Sequence, residues 1–297
     1  MKDIKRFILP LLFAILGIYF GFQFIRETAT LVTTQFPVYN MIPLLQGPTS
    51  YDATVIAGII IPIAIVLYLV VTIPLSAVYI LGNRIAKATA YDMNIMSIGN
   101  EFGGVRMIRR AFVPALFCIT STQIVLGLLP DFVFQEPDPL IVQTLGPAFR
   151  ALLSVSSSLL AMPIILAIFT PTWLLNDSGI VYHLTKDELK HRRCPDTMGV
   201  GRYFSNYFGG FSLLAFPLTM AANYFYRPFI VDGLPFTFGN IFQAFYWTIG
   251  LPVILMAFII PIILVNEFLL GRFSKPIQNI ARKFGAKDIR LEKTKVA

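Results

Sequence analysis

Apolar residues in this chain are gathered into six long runs, and the charged residues lie almost entirely between them. The runs are continuous and lack the apolar/polar alternation of a membrane strand, so the pattern predicts helices. A helix needs about twenty apolar residues to cross a hydrocarbon core of about 30 Å. The predicted membrane spans are residues 7–25, 55–82, 111–130, 149–175, 204–224 and 241–266.

Composition supports this interpretation. Hydrophobic residues make up 56% of the chain and charged residues only 13%, and the mean hydropathy is +0.71. An average soluble domain has about a quarter of its residues charged. We therefore expect an all-α, polytopic membrane helix bundle over residues 1–272, followed by a tail over residues 273–297.

The positions of Lys and Arg predict the orientation of the spans, because cytoplasmic loops retain basic residues. Of the 24 Lys and Arg residues, 21 fall in residues 1–6, 83–110, 176–203 and the tail from Glu267. These segments alternate with the predicted outer loops, so both termini are expected in the cytoplasm, at the plasma membrane. The net charge of +8 follows from this topology. Attraction to an anionic inner leaflet explains it without nucleic-acid binding.

The first span resembles a signal peptide in having Lys2, Lys5 and Arg6 before an apolar run. The run is as long as a membrane span, however, and phenylalanines occupy the positions where cleavage requires small residues. An uncleaved anchor is therefore predicted. The two cysteines, Cys118 and Cys194, fall in a span and in a cytoplasmic loop, so no disulfide is expected.

The spans also suggest an internal repeat. Pro10 and Pro114 begin the first and third spans 104 residues apart, and Pro217 follows in the fifth span after a further 103. The fourth and sixth spans share a similar pattern around Pro163 and Pro252. Three parallel two-helix repeats would explain these matches. Coincidence within a sequence of few residue types is the alternative.

Prolines inside the spans predict helix kinks, because each removes a backbone hydrogen bond and crowds the preceding turn. Kinked helices around a cavity are one interpretation, and ordinary bent membrane helices are the other. The predicted kink positions are Pro10, Pro62, Pro114, Pro163, Pro217 and Pro252.

Ionisable side chains are absent from the interior of all six predicted spans, which disfavours proton relays and ion-coupled transport. Neutral polar residues are concentrated in spans three to five. They predict a polar pocket in the outer half of the bundle, although small hydroxyl residues also serve simple helix packing. The candidate pocket residues are Thr120, Gln123, Ser157, Ser158 and Thr219.

The inner loop over residues 176–202 holds both histidines of the chain. His183, Asp187, His191 and Cys194 are candidates for a metal or catalytic site there. Their spacing lacks the paired ligands of a structural zinc site, and the serines within the predicted spans have no histidine on their side of the membrane to act as a base. We expect no metal, no cofactor and no catalytic residue.

The tail has the pattern of a basic amphipathic helix. Ser274 is placed to cap its start and Pro276 to occupy its first turn, and Ile277 and Ala281 share one face. Such a helix is expected to lie on the inner leaflet, with a protein partner as the alternative.

Aromatic residues are frequent in the predicted outer loops 36–51, 131–148 and 225–240. The last of these loops carries Phe225, Tyr226 and Phe229. Aromatic side chains favour the headgroup region, so these loops are expected to lie against the membrane surface.

Three functions remain in competition. The first is a transporter or permease for a small neutral or lipidic molecule, and the second is a non-catalytic membrane subunit that binds partners through its inner loops and tail. An enzyme acting at the inner surface through residues 176–202 is the third. Membrane lipids, a protein partner and further copies of the chain are the expected partners.

Overall fold

The computed structural model describes residues 50–87, 91–96, 104–128, 147–184 and 198–289, together with Ile8, Leu12, Ile15 and Tyr19. This part of the chain is mostly helical, which confirms the helical class. The structure also contains a small β-sheet, which the sequence pattern did not predict. The first predicted span, residues 7–25, lies outside the described residues except for the four single positions.

Within the described residues, five long helices overlap the other predicted spans. They are α1 (Ser50–Lys87), α2 (Gly104–Leu128), α3 (Pro147–Asp177), α4 (Val200–Met220) and α5 (Phe238–Lys283). Among the described residues, one helical segment is long and apolar enough to cross a membrane. This segment is Phe238–Glu267 within α5.

The predicted kink prolines lie inside these helices, except Pro10, which is outside the described residues. Pro62 is in α1, Pro114 in α2, Pro163 in α3, Pro217 in α4 and Pro252 in α5. Each helix continues through its proline.

Four short strands form one sheet. They are β1 (Tyr91–Met96), β2 (Ile180–Leu184), β3 (Met198–Gly199) and β4 (Lys287–Ile289), in the order β3-β2-β1-β4. Strand β1 pairs antiparallel with β2 and parallel with β4. The strands come from the two predicted inner loops and the tail, so the sheet joins three segments that are distant in sequence.

The chain divides into two compact units, each built from three separate segments. The first unit comprises Met1–Ala64, Gly103–Ile165 and Gly209–Ile262, and the second unit comprises Ile65–Phe102, Leu166–Phe208 and Ile263–Ala297.

The second unit has an apolar core between the sheet and the surrounding helices. Each fully buried aliphatic side chain contributes about 1.5–3 kcal/mol relative to an exposed one. Core members include Ile80, Ile95, Leu174, Ile180, Val200 and Ile277. Strands β1 and β2 therefore pack on helix residues of the same unit.

The tail differs from its prediction. Helix α5 runs for 46 residues through Ser274 and Pro276, so Ser274 lies inside a helix and the proposed boundary at residues 272 and 273 does not interrupt it. Ile277 and Ala281 are fully buried in the core of the second unit. The apolar face assigned to the inner leaflet is therefore covered by the protein itself. Sequence periodicity identified an apolar face but could not identify what covers it.

Candidate functional site

A π-helix over Ala221–Val231 directly follows α4. The sequence predicted an outer loop from residue 225, because the fifth predicted span ends at residue 224. In the structure the helical backbone continues to Val231, and the amide of Asp232 donates to the carbonyl of Arg227 at 2.9 Å. Long π-helices are rare and π-helical turns are frequent at functional sites. Two features of the first unit include residues of this π-helix. One is a network of polar side chains, and the other is a cleft lined by aromatic rings.

The polar network links α2, α3 and the start of the π-helix. The side-chain amide of Gln123 donates to the hydroxyl of Ser154 at 3.2 Å, and the hydroxyl of Tyr224 donates to the same oxygen at 3.0 Å. Asn223 donates to the carbonyl oxygen of Gln123 at 3.3 Å. Tyr224 is fully buried. Buried polar groups are costly unless paired, and these four residues satisfy one another.

A second pair of contacts lies one turn away. The hydroxyls of Thr122 and Ser158 are 2.9 Å apart, and the thiol of Cys118 donates to the Ser158 carbonyl at 3.1 Å. These bonds also connect α2 with α3. Side-chain hydrogen bonds between membrane helices contribute modestly, about 0.6 kcal/mol each on average.

The candidate pocket residues have different places in this arrangement. Gln123 belongs to the network and Ser158 to the second pair, whereas Thr219 donates to the carbonyls of Ala215 and Phe216 in its own helix. Ser157 is half-buried. Thr120 is fully buried, and its hydroxyl has no hydrogen-bond partner within the described part of the chain. A pocket shared by all five remains a prediction.

Sequence reasoning did not select Ser154, Asn223 or Tyr224 for this site. Ser154 was one of several serines in span four, and Asn223 and Tyr224 lie beside a predicted loop. Asn223 was the residue that could have indicated this network from the sequence, because a side-chain amide at the end of an apolar span requires a polar partner.

An aromatic cleft lies between the π-helix and the start of α5. Its volume is about 400 Å³. Two ring pairs border it: Phe225 lies edge-on to Phe245 with ring centroids 4.9 Å apart, and Phe229 stacks on Phe236 at 4.8 Å. The aromatic cleft is lined by Phe225, Tyr226, Phe229, Ile230, Phe236, Ile241 and Phe245.

The cleft can bind an apolar group but cannot orient a charged one. Its lining is almost wholly apolar, and its size falls at the small end of ligand pockets, which are about 300–1,000 Å³. Phe229 is buried at the cleft, while Tyr226 and Phe236 are exposed. One hydrocarbon chain or a small apolar ring system matches this surface.

The candidate inner-loop site is mostly outside the described residues, since Asp187, His191 and Cys194 all lie there. His183 lies in β2, in register with Asp92 of β1. Within the described ranges no group of three or more His, Cys, Asp and Glu side chains is placed to hold a metal ion.

The described site can therefore bind the apolar surface of a ligand. The polar network beside it consists of side chains that are hydrogen-bonded to one another. Comparison with models of protein families, with curated proteins and with solved structures finds no match to this chain.

Proposed function

We propose that this chain is a multi-pass membrane protein, with six spans and both termini in the cytoplasm, that binds a lipidic molecule in the aromatic cleft and acts as a transporter or permease for it. The observation that carries this proposal is the cleft of about 400 Å³ with an almost wholly apolar lining. By the predicted topology, the cleft lies at the outer ends of the fifth and sixth spans, within reach of the acyl chains of lipids.

Exposed apolar stripes support the membrane location. Along α1, Val66, Val70, Val78 and Ile85 are all more than half exposed. These positions repeat at helical spacing and extend over about 28 Å at 1.5 Å per residue. A stripe of this length in water would be a large apolar patch of the kind that soluble monomers rarely carry. Contact with lipid chains would remove the unfavourable exposure of these side chains to water.

A second stripe runs along the first half of α5 through Phe238, Phe242, Ile249 and Val253. The following residues, from Leu255 to Ile260, are buried. The start of α5 therefore presents apolar surface on both its cleft side and its exposed side. A lipidic molecule moving along this helix would meet apolar surface continuously.

Photolabelling tests the proposal. The purified protein in lipid nanodiscs is exposed to a photoactivatable palmitic acid, and labelled residues are mapped by mass spectrometry. Labelling of the cleft residues is expected to saturate at low probe concentration, because a site has limited capacity. Labelling of the exposed stripes is expected to rise linearly with the probe.

Two variants on α5 make the test specific. Ile241→Trp fills the cleft and should weaken the saturable labelling about tenfold, equivalent to about 1.4 kcal/mol. Ile249→Trp adds the same bulk on the exposed stripe and should leave the cleft labelling unchanged. Linear labelling of the cleft in the native protein, or equal effects of both variants, would reject the proposal.

The four-stranded sheet favours a second candidate, a membrane scaffold. Its strands bring two predicted inner loops and the tail together on one surface, which a binding partner could contact. A stoichiometric partner co-purified in mild detergent would support the scaffold. A monodisperse, partner-free protein that still labels saturably would favour the transporter.

A further inference from the structure

The π-helix holds its aromatic side chains in an orientation that an α-helix would not give. Its hydrogen bonds run from residue i to i+5, one residue more per ring than in an α-helix. Conversion to an α-helix would therefore rotate each following side chain progressively about the axis. Phe225, Tyr226, Phe229 and Ile230 line the cleft in the observed winding.

This winding needs support from tertiary contacts. π-helical winding is intrinsically uncommon, and Pro228 lacks a backbone donor. The polar network supplies support at the start of the segment, where Asn223 and Tyr224 are held through Gln123 and Ser154. Phe225, the first residue of the cleft, follows them directly.

We propose that Asn223 and Tyr224 are positioning residues, whose hydrogen bonds to Gln123 and Ser154 fix the rotation of the π-helix and so form the aromatic cleft. The inference rests on the proposed function for its effect on ligand binding, but its effect on the helix does not require a ligand. In this role the network residues act on the π-helix and do not touch the ligand.

Geometry explains why the hydroxyl of Tyr224 is the most informative group. Its ring is fully buried, so Tyr224→Phe keeps the packing and removes one donor at 3.0 Å from Ser154. Ser154 retains its bond from Gln123, so no new unpaired group is created at that oxygen. A change of exchange or labelling in this variant therefore reports the effect of the hydrogen bond between α3 and the π-helix.

The first measurement is ligand-independent. Hydrogen–deuterium exchange of the peptide over residues 225–234 follows the amides of Asp232 and Leu234, which donate to the carbonyls of Arg227 and Pro228. We expect exchange in Tyr224→Phe to be about fivefold faster, as for the loss of one hydrogen bond of about 1 kcal/mol. Asn223→Ala should change exchange in the same direction.

Thr248→Val is the matched control. The hydroxyl of Thr248 donates to the carbonyl of Ala244 in its own helix at 2.8 Å. The control should leave exchange over residues 225–234 unchanged. Thermal unfolding midpoints of the control and Tyr224→Phe should agree, which separates local register from general destabilisation.

The second measurement uses the photoactivatable palmitic acid. Tyr224→Phe should weaken saturable labelling of the cleft about fivefold, while Thr248→Val labels as the native protein does. Unchanged exchange and labelling in Tyr224→Phe would overturn the positioning role. If the native protein shows no saturable labelling, the proposed function fails, and the exchange measurement still decides the positioning role.

Discussion

Gly201 allows a close backbone approach in the second unit. A Cβ atom at this position would lie 1.9 Å from the carbonyl oxygen of Thr172 and 2.8 Å from the amide nitrogen of Asn176. Both atoms belong to the backbone of α3, so neither can move aside as a flexible side chain would. The start of α4 packs on the end of α3 only because this residue has no side chain.

We therefore expect Gly201→Ala to lower the free energy of unfolding by about 1–3 kcal/mol, the usual cost of overpacking. Gly210→Ala is a control in the same helix, since no atom of the described residues lies within 4 Å of its added Cβ. The control should be neutral, or stabilising by up to about 1 kcal/mol because alanine favours helix. Thermal unfolding in detergent measures both. Equal midpoints for the two variants would contradict the proposed packing.

At the scale of elements, the end of α5 and strand β4 are tied together by a turn. Gly285 has a φ of 91°, a left-handed conformation that favours glycine, and the guanidinium of Arg84 donates to the carbonyl of Phe284. Arg282 then donates to both carboxylate oxygens of Asp288, at 3.0 and 3.2 Å. These contacts direct the chain from the helix to its pairing with β1.

The Arg282–Asp288 pair predicts a pH dependence. The hydrogen bonds from Arg282 are the main cause that lowers the pKa of Asp288 below its ordinary value of 3.8. A carboxyl whose pKa is lower in the folded state stabilises that state above its unfolded pKa. This contribution is lost as the pH falls through the lowered folded pKa.

Asp288→Asn should therefore lower the unfolding midpoint slightly at pH 7 and leave it equal to that of the native protein well below pH 3.8. The effect is expected to be small because both side chains are exposed and screened by solvent. Lys287→Gln, a neighbouring change of one charge, serves as the control. A difference that persists at low pH would point to another cause.

At the scale of the whole molecule, the predicted topology can be tested with the native cysteines. Cys118 is buried, and Cys194 lies in the predicted inner loop. A membrane-impermeant maleimide should therefore label intact cells poorly, and should label Cys194 after permeabilisation. Gly239 is exposed, and an added Cβ there has no atom within 4 Å in the described part of the chain. Gly239→Cys combined with Cys194→Ala should label in intact cells. Labelling of Cys194 in intact cells would contradict cytoplasmic placement of its loop.

Much of the helical architecture was predictable because its cause is local. A long, continuous apolar run without apolar/polar alternation favours a helix, so the positions of α1 to α5 follow the apolar runs. The stop after Asp177 was predictable for a similar reason. Ser178 and Gly179 form the turn, and Gly179 adopts a φ of 73°.

The candidate site was only partly predictable, because its contacts join residues far apart in sequence. Gln123 and Ser158 were selected for polarity, but their partners in the fold were not identifiable from spacing. The loop predicted from residue 225 is instead a π-helix, since its winding depends on contacts made by Asn223 and Tyr224.

The sequence by itself determined the helical class, the placement of five described helices and the segregation of charge between the apolar runs, because these follow from the order of apolar and polar residues along the chain. Only the tertiary structure decided the four-stranded sheet, the burial of Ile277 and Ala281 and the aromatic cleft. Each of these depends on pairing between distant segments. A local pattern reports that an apolar face exists, and the fold decides whether protein or lipid covers it.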